Sequence, residues 1–264
     1  MSGATVVTNA KLLLGPYDLG QDLKAITLNL SSAMLDNTTF PSVSGPATAA
    51  VARVAGLKDA SLNANGYVDL QSSASDAVIF GYLGSTSPLC TLFPTGIIAG
   101  STQLGSAYAL QGGVSKYGPI GGNVGTLLPF TVDVQGATTV CKATALDDFT
   151  AAANALSTGT TNGTAYGPFT FTSTQALYAG LHVTALSTTL GTTLSALVQQ
   201  ASSSGFGSSA TAVTFSAQSC KYGTWATPVT AASTSQTFWR VAFTLSTGTS
   251  TGGSATGLIW MAIQ

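Results

Sequence analysis

The stretch KAITLNLSS, residues 24–32, alternates between apolar and polar side chains. In an extended chain Ile26, Leu28 and Leu30 fall on one face, and the Thr, Asn and Ser between them fall on the other. A repeat of two residues is the period of a β-strand with one face in the core and one in water. The stretch therefore predicts a half-buried strand.

Comparable short runs recur along the chain and are separated by Gly, Pro, Ser and Thr. Further strands are predicted at residues 53–69, 76–84, 93–99, 107–117, 127–135, 176–186, 192–200, 211–218, 237–246 and 255–264. Many short strands joined by turn residues are typical of antiparallel sandwiches and barrels. The predicted fold class is therefore mainly β.

The sequence changes character near its middle. LDDFTAAANALS, residues 146–157, is rich in Ala and predicts one short helix, with Asp147 or Asp148 in its first turn. A Gly- and Thr-rich linker follows. The predicted organisation is a β domain with a long loop or arm, a helix with its linker, and a second β-sandwich-like domain, at residues 1–145 (arm 34–52), 146–165 and 166–264.

Charged side chains make up only 6% of the chain, and all nine acidic residues are Asp. Soluble domains usually carry about a quarter charged residues. After Asp148 the only formally charged side chains are Lys221 and Arg240. A surface with so little charge favours association between protein molecules. A net charge of −1 argues against a protein that binds nucleic acid tightly, because such proteins need many Lys and Arg side chains to neutralise phosphates.

Side chains able to carry catalysis are scarce. The chain has one His, His182, and three widely spaced cysteines that are expected to be buried, unreactive thiols. The G-x-S-x-G match at residues 248–252 has neither an acid nor a His after it. We therefore predict no enzyme activity, no catalytic residue, no cofactor and no metal site. No apolar run approaches about 18 residues and no secretory signal is evident, so we expect no membrane partner.

A second motif follows the first strand. MLDNTTF, residues 34–40, is followed by AGLKD, residues 55–59, and by an alternating stretch with Gly66 and Asp69 at its end. This order resembles the N-terminal region of the major tail tube proteins of long-tailed, siphovirus-like bacteriophages. In that family a D-x-T-T-F-G-like loop is followed by G-L-K-D and by a strand that ends in G-x-x-D. The resemblance covers roughly residues 8–70.

The resemblance implies a tail-tube-type β-sandwich or barrel in the first domain and a structural role in the virion. Such proteins self-assemble into hexameric or trimeric, pseudo-hexameric rings that stack into the tail tube. The implied partners are further copies of the chain and the tape measure, tail terminator and tail tip proteins. DNA would pass through the lumen without specific binding. Assembly would take place in the cytoplasm of the host bacterium, and the product would belong to the virion tail.

The resemblance also implies a set of inter-subunit contacts in the loop and in the second strand. The candidates are Asp36, Asn37, Thr38, Thr39, Phe40, Lys58 and Asp59. Two of these assignments have an alternative: Phe40 could cover its own core, and Lys58 with Asp59 could form a turn.

Two other functions fit the same composition. A capsid decoration protein, or another virion β-protein, would bind a preformed lattice and would not polymerise alone. A carbohydrate-binding module would use aromatic faces such as that of Trp225.

Overall fold

The computed structural model describes residues 10–36, 53–70, 75–85, 88–96, 105–119, 121–149, 156–157, 159–169, 172, 174–186, 192–219, 222–226, 229–230, 236–246 and 253–264. Within these residues β-strands dominate, with one α-helix, α1 (Ser75–Gly81), and one 3-10 turn (Gly20–Asp22). The mainly β, antiparallel fold class predicted from the sequence is confirmed.

The first half of the chain contains eight strands. They are β1 (Lys11–Leu14), β2 (Tyr17–Asp18), β3 (Leu23–Asp36), β4 (Arg53–Tyr67), β5 (Leu89–Phe93), β6 (Ser106–Gly118), β7 (Pro129–Gly136) and β8 (Cys141–Asp148). Nine more follow. They are β9 (Leu156–Ser157), β10 (Gly159–Asn162), β11 (Ala176–Leu186), β12 (Thr193–Ala201), β13 (Ser209–Gln218), β14 (Tyr222–Trp225), β15 (Val229–Thr230), β16 (Phe238–Ser246) and β17 (Ser254–Ile263).

The strands form one large hydrogen-bonded network and one small sheet. The network runs in the order β14-β11-β17-β8-β6-β5-β1-β2, and β3, β4 and β7 join it through β6. The small sheet has the order β10-β16-β12-β13. All pairings between strands are antiparallel.

Strand β6 belongs to two layers. Its first half pairs with β5 and β8, and its second half, from Gly112 onward, pairs with β7. At the change of partner the chain passes so close to β7 that a Cβ at Gly112 would collide with the carbonyl oxygen of Gln135. Glycine is needed there because only a residue without a side chain allows this approach.

Two hydrophobic cores result. One lies between β3, β4 and β7 on one side and β1, β5 and α1 on the other, and it includes Leu62, Phe130 and Ile79. The other lies between the strands around β17 and the small sheet, and it includes Trp260, Phe243 and Val198. Each layer presents one face to its core, which is why the strands alternate in sequence.

Trp260 fills the centre of the larger core. Its ring lies against β11 at Gly180, where any Cβ would overlap the indole. Trp225 packs edge-on against it, with ring centroids 5.2 Å apart. A small residue opposite a large one lets the two elements interdigitate without a void.

Two predictions of local secondary structure are corrected by the structure. The run predicted as a strand at residues 76–84 is largely the helix α1, which buries Val78 and Ile79 and leaves Phe80 exposed. The helix predicted at 146–157 is wrong where it is described, because 146–148 belong to β8 and 156–157 form β9. Tertiary pairing with β17 overrides the local helix propensity of this stretch.

The predicted arm at 34–52 also begins later than expected. Residues 34–36 continue β3, which is therefore 14 residues long. The remainder of the predicted arm, residues 37–52, lies outside the described residues. Hydrogen bonding continues across the predicted domain boundary, since β8 pairs with β17. The division into two domains stays a prediction.

Candidate inter-subunit surface

Strands β3 and β4 form a long antiparallel hairpin that carries the residues singled out by the sequence. Their register runs from Leu23 opposite Gly66 to Asp36 opposite Arg53, with irregularities near Ala25 and Ala33. β4 pairs with β7 on its other side, whereas β3 has no second partner among the described strands. β3 is therefore an edge strand, with a row of backbone groups available to another chain.

The outer part of the hairpin exposes several large apolar side chains. Leu30, Met34 and Leu35 on β3 are 55%, 59% and 59% exposed, and Val54 on β4 is 51% exposed. Closer to the body of the protein, Ile26 and Leu28 pack against the smaller core. The hairpin therefore extends its apolar side chains beyond its own core, as an interface element does.

A four-stranded segment contains this hairpin. Its order is β3-β4-β7-β6, where β6 contributes its second half, Gly112–Gly118. Each neighbouring pair is antiparallel, so β3 and β7 run one way and β4 and β6 run the other. Of the described strands, only β7 pairs with residues 115–118 of β6. The segment thus has an open edge on each side, at β3 and at the end of β6.

The end of β6 is held from behind by the helix. The Tyr117 hydroxyl donates a hydrogen bond of 2.8 Å to Asp76 Oδ1 on α1. Burial and this bond raise the pKa of Tyr117 well above its ordinary value. The ring of Tyr117 also packs near Phe130, with centroids 6.4 Å apart. These contacts fix the second open edge relative to the smaller core.

The two faces of the four-stranded segment differ in character. Leu62, Val132 and their neighbours face the smaller core. The other face is polar: Asn29 Nδ2 donates to Asn63 Oδ1 at 3.2 Å, and Asn63 Nδ2 donates to Asp133 Oδ1 at 2.6 Å. Lys116 of β6 lies directly opposite Asp133 in the strand register. This polar face therefore places one cation beside one anion, and Asp59, which strand alternation puts on the same side of β4 as Asn63, adds a second carboxylate.

The structure describes three of the seven predicted contact residues. Asp36 ends β3 opposite Arg53, while Lys58 and Asp59 lie opposite Ser32 and Ser31. Asn37, Thr38, Thr39 and Phe40 lie outside the described residues. Lys58 and Asp59 thus lie on the outer, exposed half of the hairpin, as Asp36 does.

The turn considered for Lys58 and Asp59 is wrong, because both residues lie within β4. Asp59 Oδ1 accepts a hydrogen bond of 2.8 Å from the amide of Ala60. Together with Leu30 and Tyr108, the two residues line a groove of about 440 Å³ between the hairpin and the body of the protein.

Sequence reasoning missed two parts of this surface. It gave no role to the end of β6, and it did not connect Asn29, Asn63 and Asp133 into one polar row. The signal was present, since all three are the polar members of alternating strands. Only the order of the strands in the sheet shows that they are neighbours.

The residues considered for other chemistry lie apart from this surface. Cys90 and Cys141 are buried, and burial raises the pKa of each thiol to about 12, so neither is a ready nucleophile. Cys220 is outside the described residues. Trp225 packs edge-on against Trp260 and also against Tyr178, which leaves it poorly placed as a sugar platform.

Among the described residues no group of three or more His, Cys, Asp or Glu could hold a metal ion. A search of the same residues for a helix long and apolar enough to cross a membrane finds none.

The arrangement defines an antiparallel β protein with a long edge hairpin and an open four-stranded segment. No protein-family model and no curated protein matches the chain. The similar solved structures include phage-like tail, tube and hub components. A chain of the virion of a native gene transfer agent particle is 14% identical with a TM-score of 0.38, over 52% of this chain and 97% of that one.

Two further structures show the same range of similarity. The sheath/tube terminator of the extracellular contractile injection system PVC is 9% identical with a TM-score of 0.40, over 53% of this chain and 96% of that one. The Dit protein of phage SPP1, from a hub adsorption apparatus, is 8% identical with a TM-score of 0.32, over 97% and 99%.

Proposed function

We propose that the protein is the tube subunit of a virion tail, which self-assembles into rings that stack into a conduit for the genome. The observation that carries this proposal is the four-stranded segment β3-β4-β7-β6 with an open edge on each side. A segment with two open edges is completed when β3 of one copy pairs with the end of β6 of the next. Such head-to-tail contacts close into a ring when the rotation allows it.

Strand direction supports this closure. The segment contains an even number of alternating strands, so its first and last strands run in opposite directions. When copies are related by rotation about one axis, β3 of one copy meets β6 of its neighbour in antiparallel orientation. The ladder then continues around the ring, and neither edge of the four-stranded segment remains open.

The polar face of the segment suits the lumen of such a ring. One face of the segment already belongs to the smaller core, so the face with Asn29, Asn63 and Asp133 is the one that remains for the channel. Each unpaired cation in a channel would bind DNA phosphate and slow its passage. Lys116 is opposite Asp133 and Asp59 lies on the same face, so the described part of this face has no excess of cations. DNA would slide past it without specific binding.

We favour a hexameric ring over a trimeric, pseudo-hexameric one. A trimer would need the small sheet to serve as a second tube segment. That sheet also has four antiparallel strands, but its edge strand β10 has only 4 residues, whereas β3 has 14. Tape measure, tail terminator and tail tip proteins are the expected partners of the finished tube in the virion tail.

Negative-stain electron microscopy of the purified full chain, across protein and salt concentration, tests the proposal. We expect stacked rings or tubes with a central channel, and sixfold symmetry for the hexamer. Threefold symmetry would assign the small sheet to the tube as well. Discrete particles that persist at high concentration would contradict self-assembly and favour a decoration protein.

A further inference from the structure

Arg240 is the only charged side chain among the described residues that follow Asp148. It lies on β16 in the small sheet and is half-buried. Its neighbours along the strand, Trp239 and Val241, face the larger core, so Arg240 is on the opposite, outward face of the sheet. In this half of the sequence only Lys221 and Arg240 are charged, so the surroundings of Arg240 are almost entirely neutral.

Neutral groups hold this guanidinium in place. Its Nε donates a hydrogen bond of 2.8 Å to Gln199 Oε1, which is the residue directly opposite on β12. The guanidinium carbon lies 4.4 Å from the centre of the Phe206 ring. Both contacts orient the group, and neither neutralises its charge. The described residues give Arg240 no ion pair.

Phe206 reaches this position at a conformational cost. It has φ +50°, which is the left-handed region that side chains with a Cβ rarely adopt. It lies between Gly205 and Gly207 in the loop that joins β12 to β13, yet its own ring is buried. Either neighbouring glycine could adopt this conformation without strain, yet the bulky Phe206 adopts it. This indicates that the position of the Phe206 ring is maintained.

Hydroxyl groups lie farther along the same outward face, at β16 positions four and six residues beyond Arg240 and beside them. Thr160 and Thr244 lie side by side with hydroxyl oxygens 3.4 Å apart, and Thr193 and Ser246 have theirs 2.7 Å apart. Hydroxyls at exposed positions on a rigid sheet can exchange water for the hydroxyls of a saccharide. A fixed guanidinium adds the two parallel N–H donors that match a carboxylate or a phosphate.

We propose that this face binds an anionic polysaccharide and that Arg240 receives its carboxylate or phosphate group. Phe206 and Gln199 are positioning residues, which hold the guanidinium so that its terminal nitrogens point at the ligand. The inference is independent of ring formation, since the small sheet is separate from the four-stranded segment.

The test measures binding of the full chain to three immobilised polymers at low salt. Polygalacturonate offers carboxylates, poly(glycerol phosphate) offers phosphates, and dextran is the neutral control. We expect binding to one or both anionic polymers and not to dextran, with affinity that falls as NaCl is added. The preferred anionic polymer identifies the source of the oxyanion.

Three variants assign the site. Arg240→Gln should lower affinity at least tenfold, and Arg240→Lys should lower it several-fold because an ammonium cannot offer the paired donors. Phe206→Leu should have an intermediate effect, since the charge remains but is less well oriented. Lys142→Gln, which removes one exposed cation from β8, is the matched control and should bind as the parent does.

Two results would overturn the proposal. One is a parent protein that binds neither anionic polymer. The other is an Arg240→Lys variant, with its melting temperature retained, that binds as tightly as the parent. The Arg240→Lys variant tests the role of the guanidinium even when the Arg240→Gln variant does not fold.

Discussion

At the scale of single residues, His182 joins three segments of the chain. Its Nδ1 lies 2.6 Å from the Gly15 carbonyl oxygen, and its Nε2 lies 2.8 Å from the Thr91 hydroxyl. A carbonyl can only accept, so Nδ1 carries the proton and Nε2 accepts from Thr91. Complete burial, which disfavours the charged form, lowers the pKa of His182 to about 4.

This geometry predicts acid sensitivity. The unfolded chain binds a proton at His182 near pH 6.5, whereas the folded chain does so only near pH 4. Stability should therefore fall as the pH drops through this window, by at most roughly 3 kcal/mol from this residue. Urea unfolding at pH 7.0, 5.5 and 4.5 measures the effect. His182→Asn should be less stable at pH 7.0 and should lose less on acidification; an equal loss in both proteins would contradict the assignment.

Asp147 makes an opposite contribution. It lies on β8 with its carboxylate beside Gly163, which directly follows β10 of the small sheet, and burial raises its pKa to about 6. The stability linked to its protonated form is complete below pH 3.8 and is lost as the pH rises through 6. Asp147→Asn should stabilise the protein at pH 7.5, on the order of 1 kcal/mol, and much less at pH 4.5.

Thermal unfolding of the Asp147→Asn variant and of the parent at the two pH values gives this comparison. Asp22→Asn, in the 3-10 turn far along the chain, is the control for loss of one acidic group. An equal change at both pH values would show that packing, and not the buried charge, accounts for the difference.

At the scale of elements, the edge strand β3 should control assembly. Leu30→Lys and Met34→Lys each place a charge on an exposed position of β3, which is how natural edge strands prevent pairing with other chains. A cost of about 1.4 kcal/mol per contact raises the concentration needed for assembly about tenfold. Sedimentation velocity across protein concentration measures that threshold.

The matched control for the edge strand is Phe169→Lys. Phe169 is 37% exposed, and its amide donates to the Thr237 carbonyl next to β16, so it belongs to neither β3 nor the end of β6. The same kind of substitution at this position should leave the threshold unchanged. Equal effects of the substitutions on β3 and at Phe169 would mean that added charge, and not the edge, disrupts assembly.

At the scale of the whole molecule, the two halves of the chain share a sheet and a core. β8 from the first half pairs with β17, the last strand, and the larger core combines Leu13 and Phe93 with Trp260. We therefore expect one cooperative unfolding transition in scanning calorimetry, with equal calorimetric and van't Hoff enthalpies. Two separate transitions would instead support the predicted division into independent domains.

The same sharing predicts that a fragment ending at residue 165 is unstable. It would keep β8 and lose β17, which exposes the side chains that face Trp260 and leaves a new open edge. Circular dichroism and size-exclusion chromatography of the fragment should show aggregation or loss of structure. A soluble, folded fragment would contradict this expectation.

Local sequence was enough to predict many of the strands and part of their buried faces. The alternation in residues 24–32 predicted the inward positions of Ile26 and Leu28, although Leu30 in the same series is exposed, and the apolar run at 176–186 coincides with β11. Such predictions succeed because the period of a strand is set by the backbone and does not depend on its partners. The thiols of Cys90 and Cys141 were likewise predicted as buried.

Which strands pair with one another depends on the tertiary structure and could not be predicted from the sequence. Residues 146–148 have the composition of a helix but pair with β17, more than a hundred residues later, and the apolar run after Asp76 forms a helix against β6. The open edge at the end of β6, the polar row through Asn63 and the position of Phe206 beneath Arg240 also depend on distant segments. Local sequence carries no record of such pairings, because their free energy comes from surfaces that meet only in the folded chain.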